Sequence, residues 1–471
     1  MSPYVLSLRP DLTLHEDAAL RRITLDWPGG ELEIEPASPE LGRVLRLLCG
    51  AGATEQQLAE AVPAWADPQG EAESELAHCL EALGDTGVLC AGAWSDGVPL
   101  ATALPLTPAF RLPPAPPAED QPFVLSRFAW CRRHEEQWVL ESPLSHALIH
   151  LPGWQGAALL SELRRPQTCQ NLCASIPGAA PEATRLFVGL LAGAGMLSPV
   201  DADGRAWEDQ DPALVQWEFH DLLFHTRSRL GWHGRGAGAT YRFLGRIDPA
   251  PAVKPVPQTG AIPLHRPDLA ALIAHDRPFT AVLEGRRSVR TPGATPISAR
   301  LLGEFLYRSA RVKELWRHPS EPQELSRRPY PSGGSIYELE IYLVVERCQG
   351  LAAGLYHYDP QGHGLQRLSD GDPHTEELLD QAQESLDAAR RPQILLVVAA
   401  RHQRLAWKYE TIAYALLLKH VGVLLQTMYL VATAMDLAPC AIGSGNSDLF
   451  AQAAGLDPCE IAVGEFALSG L

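Results

Sequence analysis

Three short clusters in the second half of the chain hold residue types that do chemistry. Arg286-Arg287-Ser288-Val289-Arg290 packs three guanidiniums and a hydroxyl into five residues. A guanidinium is always charged and bonds through a planar fork, which suits a dianionic phosphate or an electron-rich ring edge. Tyr330-Pro331-Ser332-Gly333-Gly334-Ser335 combines two glycines, over which backbone can approach a flat ligand, with serine hydroxyl donors. It lacks the Gly-Lys-Ser/Thr ending of a P-loop. Lys408-Tyr409 sets an ammonium beside a phenol. That neighbour favours the phenolate and draws a tyrosine below its free pKa of about 10, toward use as a base. Taken singly, each cluster has a plainer reading: a solvated charge run, a turn ahead of a strand, an ordinary neighbouring pair.

The surrounding segments must supply the elements that hold these clusters. From about Pro267 onward, helical and strand-like runs alternate. Leu339–Arg347 and Gln393–Arg401 are apolar, β-branched runs of strand length, and Asp359-Pro360-Gln361-Gly362 reads as a hairpin turn. The stretch from about Leu405 to Met435 is apolar on nearly every face. It predicts one helix, central and at a subunit interface, with Lys408-Tyr409 at its start. Its portion 412–435 is long enough to span a membrane, yet Lys419, His420 and Gln426 sit in its body, so a buried helix is expected and no membrane partner. The class is α+β with a mixed or antiparallel sheet.

Two proline-rich stretches punctuate the chain, Pro105 to Pro122 and Pro249 to Pro263, and both read as stiff connectors. The segments flanking the first look like copies of one another. "YVLS" at Tyr4–Ser7 answers "FVLS" at Phe123–Ser126, and two helical stretches follow each in the same order and spacing. Each copy has strand-like runs (Arg22–Trp27 and Glu31–Ile34 in the first), an amphipathic helix, a short helix capped by Thr54 or Thr168, and a last helix closed by glycine. That is the pattern of a small winged helix-turn-helix, present twice.

Charge decides what such modules bind. Residues 1–200 contain 12 Arg, no Lys and 24 Asp plus Glu, and the 471-residue chain has a net charge of −17. A recognition helix needs cations to neutralise phosphates, so nucleic acid is excluded and capture of an extended peptide beside the wing remains. A hydrophobic content of 46% supports packed cores. No basic segment followed by an apolar run opens the chain, so no signal peptide is expected. Nine cysteines without a CxxC pair, and Cys169 and Cys173 without further ligands at zinc spacing, predict reduced thiols, no metal and a cytoplasmic address. His220, His225, His357 and His363 read as ordinary histidines.

The order of the clusters gives more than any one of them. "RRSVR", "RPYPSGGSIYELEIYLVV", "GLYHYDP", "WKYETIAYALLLKHVGVLLQTMYLVATAMDL" and "APCAIGSGNSDLFAQAAGLD" together resemble the SagB-type dehydrogenases of the nitroreductase superfamily, from about Phe219 onward. These include the azoline oxidases of cyanobactin, microcin, streptolysin-type and thiopeptide pathways. "FHDLLFHTRSRL" at Phe219–Leu230 is similar to the segment leading into that domain. The front copies resemble the peptide-recognition modules related to the PQQ-biosynthesis chaperones. The expected layout is a first module at 1–95, a linker at 96–121, a second module at 122–200, a connecting segment at 201–265 and a nitroreductase-like domain at 266–471.

The resemblance implies an FMN-binding homodimer whose flavin pockets are built by both subunits. By position, Arg286, Ser288 and Arg290, with Arg287 in the same cluster, match contacts to the flavin phosphate and pyrimidine. Ser332, Gly333, Gly334 and Ser335 match a loop reaching the flavin from the partner. Gly443 and Ser444 match backbone near the reactive flavin nitrogen, and Lys408 and Tyr409 the pair on which azoline oxidation depends. One departure stands out: no Lys or Arg follows Lys419, where many relatives place a phosphate-holding cation. The implied reaction is oxidation of thiazolines or oxazolines in a precursor peptide, with oxygen reoxidising the flavin and a cyclodehydratase as possible partner. An NAD(P)H-dependent reductase of the same fold and a catalytically inactive peptide scaffold are the alternatives.

Overall fold

The computed structural model describes residues 3–17, 19–61, 71–111, 116–231, 236–257 and 260–471, and divides into two units, Met1–Arg235 and Gly236–Leu471.

In the first unit the two copies share a sheet. Six antiparallel strands run in the order Val5–Leu8, Leu89–Ser95, Val98–Pro105, Ala147–Leu151, Gln137–Glu141, Trp130–His134. The copies keep equivalent pairings: Val5–Leu8 lies against Leu89–Ser95, and Phe123–Leu125 against Leu197–Pro199. Single bridges at Leu6–Ala53 and Phe123–Gln167 are also equivalent. Helix Pro39–Cys49 starts at Ser38, whose hydroxyl accepts the Leu41 amide, and buries Val44, Leu45 and Leu48. Thr168 caps Cys169–Ser175 in the same way. A separate three-stranded sheet, Thr13–Asp17, Arg22–Trp27 and Gly30–Ile34, completes the first copy.

Two expected connectors prove to be structural. The strand Val98–Pro105 lies inside the segment 96–121 and pairs with Ala147–Leu151 of the second copy. Its prolines sit at positions that leave this short run of small and apolar residues free to pair, and Leu100, Ala101 and Ala103 are core. Residues 112–115 of the same stretch lie outside the described residues. The segment 201–265 is divided between the units. Its first part is tied to the front sheet, with the Ser126 hydroxyl donating to Glu208 at 2.7 Å and Arg127 to the Leu214 carbonyl at 2.7 Å.

The second unit is a seven-stranded antiparallel sheet in the order Ile262–Pro263, Gly364–Ser369, Gly354–Asp359, Leu339–Val345, Ile394–Arg401, Glu460–Gly470, Leu437–Ile442. Both faces are covered, which is why its central strands read as continuous apolar runs. On one face Ile341, Leu343, Leu396 and Phe466 pack with helices Ala299–Ala310 and Ala413–Ala434. On the other, Val344, Leu395, Val397 and Ile442 pack with helices Pro373–Ser385 and Ser447–Ala454. The proline-rich segment is anchored to this unit: Arg401 donates to the Pro251 and Ala252 carbonyls at 2.8 and 3.0 Å, and the buried Arg404 to that of Ala250.

Candidate active site

The predicted single helix from 405 to 435 is broken where the chemistry lies. One helix, His402–Lys408, ends at Lys408; Tyr409–Glu410 forms a short strand against Gly238–Ala239; Thr411 takes a φ of 59°; and the long helix begins at Ala413. Lys408 and Tyr409 therefore occupy a corner between two helices, not the first turn of one.

That corner changes the expected electrostatics. The Lys408 ammonium, almost fully buried, donates to both oxygens of Glu321 at 2.7 and 2.8 Å. The Tyr241 hydroxyl donates to the same carboxylate at 2.8 Å. Burial works against a charged Lys408, but its hydrogen bonds to Glu321 and Tyr241 outweigh this and its pKa lies above the ordinary value. For Tyr409 burial dominates; the Lys408 charge opposes it, Glu321 reinforces it, and the phenol is held above its usual pKa. The sequence reading of a Tyr409 drawn down by Lys408 is thus corrected. Glu321 compensates the ammonium that was to do the drawing.

The glycine loop meets the same corner. Gly334 has a φ of 62°, and a Cβ there would collide with the Tyr409 hydroxyl and lie 3.2 Å from Lys408 Nζ. The close approach requires glycine, and the φ favours it. The Gly333 amide donates to His420 Nε2 at 2.7 Å, and His420 Nδ1 lies 2.8 Å from Glu338 Oε1. The Ser332 hydroxyl accepts the Tyr337 amide at 3.1 Å.

The arginine cluster is held elsewhere, toward the other end of the long helix. Ser288 and Tyr429 share a hydroxyl–hydroxyl bond of 2.8 Å, the Ala441 amide donates to the Tyr429 hydroxyl at 2.8 Å, and the Val289 amide to the Pro439 carbonyl at 2.8 Å. Arg286 lies 5.4 Å from the Tyr429 ring centre, while Arg287 and Arg290 are exposed. Among the described residues none of the three guanidiniums meets a carboxylate. Tyr429 and His420 are about 14 Å apart along the helix at 1.5 Å per residue. Within one chain, then, the structure brings Ser332–Ser335 to Lys408-Tyr409, and brings Arg286–Arg290 to the strand that leads into Gly443 and Ser444.

Gly443 and Ser444 follow that strand and are exposed; the Ser444 hydroxyl lies 3.2 Å from that of Ser385. They line a cleft of about 350 Å³ with Tyr414, Leu425 and Gly464, beside a more polar one of about 550 Å³ lined by Glu384, Asn446 and Asp448. Glu465 borders both clefts although it is only 7% exposed. Burial pushes its carboxyl up to about 7, against a hydrogen bond from the Asn446 amide. An acid whose folded pKa is raised favours the folded state least when ionised. Stability is therefore lost as pH rises from the unfolded value of 4.5 through about 7. At 1.36 kcal/mol per pKa unit the loss is about 3 kcal/mol. Glu465→Gln is accordingly expected to melt several degrees above the parent protein at pH 8 and level with it at pH 5, as read by calorimetry of the unliganded protein. Equal melting temperatures at pH 8 would remove the raised carboxyl.

Sequence reasoning passed over Glu321, Tyr241, Glu338, His420 and Glu465 as functional residues. Glu465 did leave a signal: a carboxylate in the apolar run of the strand Glu460–Gly470. His420 left another, as the buried histidine of an apolar helix.

With this geometry in hand, the similarities to known proteins fall into place. Residues 1–113 match the family model of the ThcOx helix-turn-helix domain, residues 123–234 that of the cyanobactin oxidase ThcOx, and residues 283–469 that of the nitroreductase family. A Methanocaldococcus jannaschii protein assigned to the nitroreductases is 31% identical over 163 residues, 35% of this chain and 77% of that protein. The microcin B17-processing protein McbC of Escherichia coli is 30% identical over 117 residues, 24% of this chain and 42% of that protein. A chain of the Escherichia coli microcin synthetase complex, solved with truncated pro-microcin B17 bound, aligns over 53% of this chain and 91% of its own at 19% identity, with a TM-score of 0.33, too low to carry an argument. The matches to the nitroreductase and cyanobactin oxidase models make this an oxidoreductase. The chain belongs to the nitroreductase family, and its two front matches give it the layout of the cyanobactin oxidases.

Proposed function

We propose that this chain is an FMN-dependent dehydrogenase that oxidises thiazoline or oxazoline rings of a ribosomally made peptide to thiazoles or oxazoles, with oxygen as final electron acceptor. The observation that carries the reading is the packing of Lys408-Tyr409 directly on Gly334. A site for a small nitro compound or quinone has no need of a buried, acid-backed Lys-Tyr pair.

The residues present fit FMN. Arg286, Arg287 and Arg290, free of carboxylate partners among the described residues, suit a dianionic phosphate. When bound, FMN supplies the hydride acceptor for the ring's β-hydrogen. Tyr409, as phenolate, takes the proton from the ring carbon beside the peptide carbonyl. Lys408 holds its ammonium next to that phenolate, and Glu321 with Tyr241 fixes Lys408 in place. Because Tyr409 rests as a phenol, the turnover rate should climb with pH across the neutral range.

Two further parts of the reading rest on surfaces. In the second unit Ile273 is 88% exposed and Phe279 68%, and Tyr414 and Leu418 stand out from the long helix. Apolar faces of that extent suit burial in a homodimer. The acidic front modules are assigned to capture of the precursor peptide, whose azolines a cyclodehydratase would install, in a cytoplasmic setting that would keep the nine cysteines reduced.

The test is anaerobic mixing of the purified flavoprotein with an azoline peptide or with NADPH, followed at the visible flavin band. Bleaching by the azoline peptide and not by NADPH is expected. Bleaching by NADPH alone would transfer the assignment to a reductase.

A further inference from the structure

His420 sits in the middle of the long apolar helix, buried, and its bonding fixes its chemical form. The Gly333 amide can only donate, so Nε2, at 2.7 Å, must be the unprotonated acceptor. The ring proton is then on Nδ1 and is donated to Glu338 Oε1 at 2.8 Å. Glu338 is completely buried, and its other oxygen has no hydrogen-bond partner among the described residues. A carboxylate left half satisfied in a core is costly, and a neutral pair of the same volume would pack there at less cost. The backbone of Glu338 is itself tied to the central sheet, its carbonyl accepting the Arg401 amide at 3.0 Å. A continuous line thus runs from the sheet through Glu338 and His420 to one amide of the glycine loop.

That loop is the part of the site least able to hold itself. Gly334, Ser335 and Tyr337 have φ values of 62°, 57° and 48°, and the last two are not glycine. Such conformations persist only where neighbours over-determine them. Collapse of the loop would separate Gly334 from the Tyr409 hydroxyl it abuts.

We infer that His420, oriented by Glu338, is a positioning residue that clamps the Ser332–Ser335 loop through the Gly333 amide, in the one conformation that serves both Tyr409 and the flavin. The loop clamp stands on this geometry alone; its consequence for flavin rests on the function proposed above. Glutamine at position 420 keeps an acceptor oxygen near the place of Nε2, whereas leucine keeps the bulk and removes the acceptor.

The experiment compares His420→Leu and His420→Gln in the full chain by two readouts. One is amide hydrogen exchange across residues 332–337 without flavin; the other is FMN affinity from flavin fluorescence quenching. For His420→Leu, loop exchange and FMN dissociation constant should each rise by about tenfold or more, the scale of one lost buried hydrogen bond. His420→Gln should stay within about threefold of the parent, on the same scale. Equal losses in both variants, or parent-like loop exchange in His420→Leu, would overturn the clamp. If His420→Leu fails to fold, His420→Gln still decides: tenfold faster loop exchange overturns the inference and retained protection supports it. Should the parent protein bind no FMN, the flavin reading falls, while loop exchange still tests the clamp.

Discussion

Tyr409→Phe is expected to keep its fold and its flavin and to lose azoline oxidation by about 10²–10⁴-fold, the range over which a positioned acid or base contributes. The substitution is a clean one. Among the described residues the Tyr409 hydroxyl makes no hydrogen bond, so its removal orphans nothing. The ring, half-buried and 5.6 Å from Lys408 Nζ, is retained. The hydroxyl is therefore not there for stability; it points at Gly334, where the glycine loop leaves room. Turnover of the azoline peptide, flavin absorbance and melting temperature should be read on the same preparation. Full turnover with flavin bound would take the base role from Tyr409.

Glu321→Gln should act on stability and pH dependence together. It leaves the Lys408 ammonium buried with no anion, and breaking a buried pair in this way costs roughly 3–5 kcal/mol. Because Glu321 itself is 20% exposed, the low end applies. For a unit of this size that lowers the melting temperature by roughly 6–12 °C. The sign with pH follows from the depressed pKa of Glu321. Burial tends to raise it, the hydrogen bonds from Lys408 and Tyr241 more than reverse this, and its contribution stands above the unfolded value of 4.5. It is lost as pH falls through the lower folded value, so the parent protein should lose stability in acid over that window and the variant should lose less. The catalytic effect runs the other way. An ammonium freed from Glu321 draws Tyr409 toward phenolate, so the rising limb of the pH–rate profile should move to lower pH. An unmoved limb would mean that Glu321 does not govern Tyr409.

How much of this was legible in the sequence depends on the range of the interactions concerned. The strands Leu339–Val345 and Ile394–Arg401 announced themselves because both faces of their sheet are buried, leaving an unbroken apolar run. Thr168 was readable as a cap because capping is local. The break after Lys408 was not, since neither proline nor glycine marks it and the pairing that causes it comes from Gly238–Ala239, about 170 residues upstream. The strand Val98–Pro105 was obscured by Pro99 and Pro105 within it, which suggest a linker, and by the fact that one of its two partners, Ala147–Leu151, belongs to the other copy. In the site, residue types gave the arginine cluster, the glycine loop and the Lys-Tyr pair. They could not give Glu321, 87 residues from Lys408, or the carboxylate behind His420, 82 residues away. The error about the Tyr409 pKa has that origin: a neighbour in sequence was weighed, and the neighbour's own partner in space was not.

The deciding measurement is the mass of a peptide bearing azoline rings after aerobic incubation with the purified protein and FMN, without NAD(P)H. Loss of two hydrogen atoms is expected for each ring converted, with peroxide formed alongside. A peptide of unchanged mass, in the presence of a flavin that NADPH readily reduces, would contradict azoline oxidation.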